Sequence, residues 1–146
     1  MFFNSPNENR TQIADDLLNG LNDAQQEAIL HGNGPLLVFA GAGSGKTRTV
    51  THRIAYLIQV TGVRPWNILA VTFTNKAAGE LRERLEHLLG DGISRDMWVG
   101  TFHAMCARML REKGASIGLF RDFLVYDSDD QISVVKECLR ELSLDE

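Results

Sequence analysis

Three prolines and two cysteines in 146 residues leave little to break helices and little to cross-link the chain. Cys106 and Cys138 show neither a C-x-x-C spacing nor a Cys/His ligand spacing, which argues against a zinc module. Each falls on an apolar helical face, so each is expected to be a buried free thiol in a reducing, cytoplasmic setting. Long apolar runs are also missing. The longest, such as LLVFA at 36–40, are far too short to cross a bilayer, so no membrane partner is expected. The opening MFFNSPNENR lacks the basic and apolar regions of a secretory signal, and residues 1–19 are read as a flexible, polar lead-in. An excess of positive charge is lacking too. Fifteen Lys and Arg against nineteen Asp and Glu give a net charge of −4, unlike a small basic nucleic-acid binder. A local groove of opposite sign stays open. No internal repeat or low-complexity tract is present.

What is there is core material. Hydrophobic residues make up 44% of the chain and charged residues 23%, which fits one folded domain and not disorder. A first helix is predicted over 22–31, with Asn22 as cap and Gln25 three residues on, the spacing of a capping box. The apolar run 36–40 reads as a buried strand, followed by a glycine-rich turn and a helix carrying Val50, Ile54, Leu57 and Ile58 inward. Residues 68–74 (ILAVTFT) read as a second strand. Residues 76–89 read as a helix with Glu80–Arg84 and Arg82–Glu86 pairs on its outer face. Residues 97–101 are a third strand and 103–113 a further helix. This strand–helix alternation implies an α/β fold, a parallel sheet with covering helices. Near residue 115 the character changes. Asp127 or Ser128 then caps a helix with Ile132, Val135, Leu139 and Leu142 on one face.

The most informative segment is Ala40-Gly41-Ala42-Gly43-Ser44-Gly45-Lys46-Thr47, placed between an apolar run and a helix. That is the setting of a P-loop. Glycines let successive backbone N–H groups turn inward, and those amides with the positive helix end can hold phosphate oxygens. Lys46 should reach the β- and γ-phosphates of ATP and Thr47 should ligate Mg²⁺, which makes them the catalytic pair of this segment. The usual first glycine of such a loop is Ala40 here. A glycine-rich turn that binds nothing is the alternative.

Four segments, LNDAQ at 21–25, AGAGSGKTR at 40–48, TFTNKAA at 72–78 and GTFH at 100–103, together resemble the UvrD/PcrA/Rep-like helicases of superfamily I. The resemblance covers about residues 20–142. It implies an incomplete P-loop NTPase (RecA-like) motor domain over 20–114 and the start of an inserted helical subdomain over 115–146. It implies an ATP-dependent DNA helicase that translocates on single-stranded DNA, 3′ to 5′ by family analogy, and that works with DNA repair or replication proteins. By position, Gln25 resembles the residue that reads adenine, and Arg48 one beside the base. The other reading of Gln25 is a helix cap, and that of Arg48 a solvated arginine. Phe73, Thr74, Asn75, Thr101 and His103 resemble DNA-contacting residues. Against that, Phe73 could be core, Asn75 could cap the helix after it, and His103 could be structural.

Hydrolysis also needs carboxylates to hold Mg²⁺ and to activate water. The segment Phe123-Leu124-Val125-Tyr126-Asp127 imitates the expected apolar run with Asp-Glu, but Ser128 follows Asp127, so a helix cap explains it better. No other candidate lies within these residues. The chain is therefore expected to be inactive alone, the ATP-binding part of a longer enzyme. A short nucleotide-binding or regulatory module without hydrolysis is the alternative, and a different P-loop enzyme is another, disfavoured by TFTNKAA and GTFH.

Overall fold

The computed structural model describes residues 6–144, which form a mixed α/β structure of six α-helices and a two-stranded sheet. The helices are α1 (Pro6–Leu18), α2 (Asp23–Leu30), α3 (Lys46–Gln59), α4 (Asn75–Leu89), α5 (Phe102–Lys113) and α6 (Ser128–Glu141). The strands are β1 (Leu69–Thr72) and β2 (Trp98–Thr101). They run parallel, with Leu69 opposite Trp98 and Thr72 opposite Thr101. The connection between them passes through α4, as a parallel pair requires.

The sequence signals for helix ends act as written. Asn22 caps α2: its side chain accepts the Gln25 N–H at 2.9 Å, and the Gln25 side chain accepts the Asn22 N–H at 3.1 Å. Thr74 caps α4 by accepting the Ala77 N–H at 3.1 Å, so Asn75 is the first helical residue and not the cap. Ile54 of α3, Leu81 and Leu85 of α4, Ala70 of β1, Val99 of β2, and Ile68 and Met97 just before the strands form the core. Gly100 has no side chain because one would meet the Met105 methyl at 2.6 Å.

Four expectations are corrected. Residues 6–18 are helical and not a loose lead-in; the remainder, 1–5, lies outside the described residues. Leu17 is buried, and this anchor orders a stretch whose polar sequence does not announce a helix. Residues 36–40 pair with no strand, and Leu37 and Phe39 are 76% and 89% exposed where a buried strand was expected. An apolar run becomes a strand only beside a partner's backbone, and none lies beside this one. Both cysteines are exposed, because the apolar faces of α5 and α6 that carry them are largely uncovered. The Arg82–Glu86 pair expected on the outer face of α4 gives way to other bonds: the Arg82 guanidinium donates to the Val99 carbonyl, and Glu86 accepts the Ser94 hydroxyl at 2.5 Å.

The chain divides into two compact units after Met105, the only buried residue of α5. In the second unit, the Arg111 guanidinium lies 5.0 Å from the centre of the Phe123 ring, and Gly114 packs under Leu119. Ile132 and Val135 on the apolar face of α6, and Leu142 just after it, are exposed. No helix among the described residues is long and apolar enough to cross a membrane.

Candidate functional site

Every residue singled out from the sequence for nucleotide or DNA binding lies in the first unit. The glycine-rich turn runs from Ala40 into α3. Gly43 and Gly45 take left-handed backbone angles, φ +76° and +83°, which few other residues adopt. Gly45 is the residue before α3, and no side chain caps that helix. The first amides of a fourteen-residue helix are thus left facing the turn, the arrangement that attracts an anion.

Lys46 bends back over this turn. Its ammonium donates to the carbonyls of Ala40 at 3.1 Å and Gly41 at 2.6 Å. The Ser44 hydroxyl also donates to Gly41, at 2.8 Å. These bonds hold the positive charge at the mouth of the loop. Lys46 and Thr47 are both exposed. Behind them, the buried Thr51 hydroxyl bonds the carbonyls of Thr47 and Arg48, anchoring the first turn of the helix.

The residues present fit a nucleotide phosphate: a cation, helix-end amides and glycines with no side chain in the way. For a metal they offer less. Among the described residues no group of three or more His, Cys, Asp or Glu could hold an ion, and the Thr47 hydroxyl is the oxygen this segment supplies.

Gln25 does two things at once. While it completes the α2 capping box, its amide nitrogen donates to the Ser44 carbonyl at 3.0 Å. The plain capping role is therefore real and not exclusive. Arg48, one residue past Thr47, is exposed and directs its guanidinium to the Asn19 carbonyl at 3.5 Å. A cleft of about 390 Å³ opens between these elements, lined by Gln25, Phe39, Gly41, Ser44 and Lys46 among others.

The second group sits at the carboxyl ends of the strands. Thr72 and Thr101 are register partners, so residues 73–75 and 101–103 emerge side by side from one edge of the sheet. That edge is where open parallel sheets bind ligands. Phe73 is 94% exposed and lies outside the core formed by the described residues. The Thr74 and Thr101 hydroxyls accept helix N–H groups, from Ala77 at 3.1 Å and Ala104 at 3.3 Å, and keep their O–H donors for another partner. Asn75 and His103 are exposed in the first turns of α4 and α5. Phe102, between Thr101 and His103, is a second exposed aromatic here. Its place inside the GTFH segment is the one signal of it in the sequence.

A cleft of about 600 Å³ is lined by Lys46 and Thr47 on one side and by Thr72 and Ala77 on the other. Asp127, the decoy acid, accepts the N–H groups of Asp129 and Asp130 at 2.9 Å each, while Asp130 accepts the Asp127 N–H. It is a helix cap.

Residues 21–146 match the family described as the UvrD/REP helicase N-terminal domain. The chain is 56% identical over 133 residues to the ATP-dependent DNA helicase PcrA of Bacillus subtilis (strain 168), an overlap of 91% of this chain and 18% of that protein. To the ATP-dependent DNA helicase PcrA of Leuconostoc citreum it is 53% identical over 129 residues, 88% of this chain and 17% of that protein. To the protein of the same name in Staphylococcus aureus (strain Mu50 / ATCC 700699) it is 51% identical over 129 residues, again 88% of this chain and 18% of the relative. The chain thus spans less than a fifth of the length of these relatives.

Proposed function

This chain belongs to the UvrD/REP helicase N-terminal domain family, and from that premise we propose that it is the ATP-binding part of an ATP-dependent DNA helicase. Residues 20–114 are the amino-terminal part of a P-loop, RecA-like motor domain, and residues 115–146 begin an inserted helical subdomain. The observation that carries this reading is the cleft walled by Lys46 and Thr47 on one side and Thr72 on the other.

The chemistry assigned to each residue follows from its place. Backbone N–H groups of 41–47 and the Lys46 ammonium bind the phosphates of ATP, exchanging the loop carbonyls for phosphate oxygens. Mg²⁺, when bound, neutralises phosphate charge, and the Thr47 hydroxyl is the ligand this chain gives it. Gln25 and Arg48 flank the base. Phe73 and Phe102 offer aromatic faces to unpaired DNA bases, and Asn75 and His103 offer polar groups to the backbone. Translocation runs 3′ to 5′ on single-stranded DNA, in the cytoplasm, alongside repair or replication proteins.

In the polypeptide 1–146 the Asp-Glu pair, Asp145-Glu146, follows Leu142-Ser143-Leu144 and not an unbroken apolar run, and the imitation at 123–127 is occupied as a cap. It therefore binds ATP weakly and scarcely hydrolyses it. The test is to measure ATP hydrolysis by this polypeptide and by the full-length protein, each with and without single-stranded DNA. Stimulation by DNA of the full-length protein alone is expected. Turnover by residues 1–146 at helicase rates would sink the proposal, as would a full-length protein indifferent to DNA.

A further inference from the structure

The turn that closes α1 is held from behind by the same helices that carry Gln25 and Arg48. The Leu17 carbonyl accepts from His52 Nδ1 at 2.7 Å. The Gln26 amide spans the turn, donating to the carbonyls of Leu18 at 3.4 Å and Leu21 at 3.1 Å. The Asn19 carbonyl faces the Arg48 guanidinium at 3.5 Å. Leu17 and Leu21 are buried on either side of the turn.

His52 lies four residues after Arg48, so both side chains leave α3 on one face, one turn apart. Gln26 is the neighbour of Gln25 on α2. Gly20 adopts φ +71°, the left-handed angle that ends many helices, and a side chain there would approach Arg48 Nη2 to 3.4 Å. Carbonyls at a helix end carry partial negative charge, which draws a guanidinium toward them. The turn therefore attracts Arg48 through Asn19 and leaves it room through Gly20.

We propose that residues 17–20 are a positioning element for the base side of the nucleotide site, setting the place of Arg48, with His52 as the latch that holds the turn to α3. The inference rests on the reading of Arg48 as a base-side residue. His52 touches no nucleotide in this account. It acts through the turn, and so it is a positioning residue.

The test uses the full-length protein and measures kcat, KM for ATP and thermal midpoint at saturating single-stranded DNA. His52→Ala is expected to raise KM by about threefold to tenfold, the size of one lost hydrogen bond, with kcat unchanged. His52→Asn, whose side-chain amide nitrogen falls near the place of Nδ1, is expected to restore KM. In an Arg48→Ala background, His52→Ala is expected to add nothing further. An unchanged KM in His52→Ala would overturn the inference, as would an equal rise with Arg48 already removed. So would a fall in kcat and thermal midpoint with no change in KM, since that is the mark of a merely structural histidine. If Arg48→Ala itself leaves KM unchanged, the base-side reading fails first and takes the inference with it. That outcome is separable from the others.

Discussion

The side-chain amide of Gln25 donates to the Ser44 carbonyl at 3.0 Å and sits 2.7 Å from where a side chain on Gly45 would begin. One residue of α2 thus grips the phosphate loop and occupies the space that its last glycine leaves open. Removing either member should be felt at the nucleotide. Gln25→Ala is expected to raise KM for ATP and to cost about 1 kcal/mol of stability, since the capping box is lost as well. Gly45→Ala strains a left-handed residue and displaces Gln25, so it should abolish ATP binding. Titration with a fluorescent ATP analogue checks both, and wild-type affinity in Gly45→Ala would remove the loop from the site.

Lys46→Ala is expected to leave the fold intact, because Lys46 is exposed and bonds only its own loop among the contacts described. ATP affinity should drop by roughly 10- to 100-fold, the range for charge-assisted bonds lost from a phosphate. Calorimetric titration beside a thermal melt separates binding from folding. An unchanged affinity would refute the cradle.

Phe73 makes an unusually clean test because it is almost wholly exposed. Phe73→Ala should weaken single-stranded DNA binding by about 5- to 150-fold, the worth of a stacked base, without shifting the melting temperature. Phe102→Ala should show the same direction. Fluorescence anisotropy with a labelled oligonucleotide reads both, and two wild-type affinities would move the DNA site elsewhere.

Asp127→Ala is expected to cost about 1 kcal/mol in α6 and to speed hydrogen exchange at the Asp129 and Asp130 amides that it caps. Asp127→Asn should largely restore protection, because an amide oxygen caps as well as a carboxylate. Loss of ATP hydrolysis by the full-length Asp127→Asn protein with protection intact would instead make this acid part of the chemistry.

Much of the local geometry is legible in the sequence. The capping box at Asn22 and Gln25, the loop from Ala40 to Thr47 and the cap at Asp127 are local devices, each specified by residues within a few positions of one another. What escaped the sequence was settled by distant partners. The helix at 6–18 is ordered by Leu17 and by His52, thirty-five residues away. The run at 36–40 has strand composition but no neighbouring backbone. Cys106 and Cys138 sit on faces that look apolar in sequence and lie open in space. Whether Phe73 was core or contact could not be read from its neighbours, since a strand end and a ligand edge share one composition.

The uncovered run at 36–39 has a consequence for how the protein is made. In a polypeptide as long as its relatives, more than four-fifths of the chain is still to be synthesised once these residues exist. At about 5–20 residues per second, that synthesis takes on the order of tens of seconds, with Leu37 and Phe39 exposed as they are in residues 6–144. Exposed apolar strands with open edges are where nascent chains stick to one another. Slowing translation once residues 36–39 have been made is therefore expected to lower the yield of soluble product, which a pulse-labelling measurement of the soluble fraction checks.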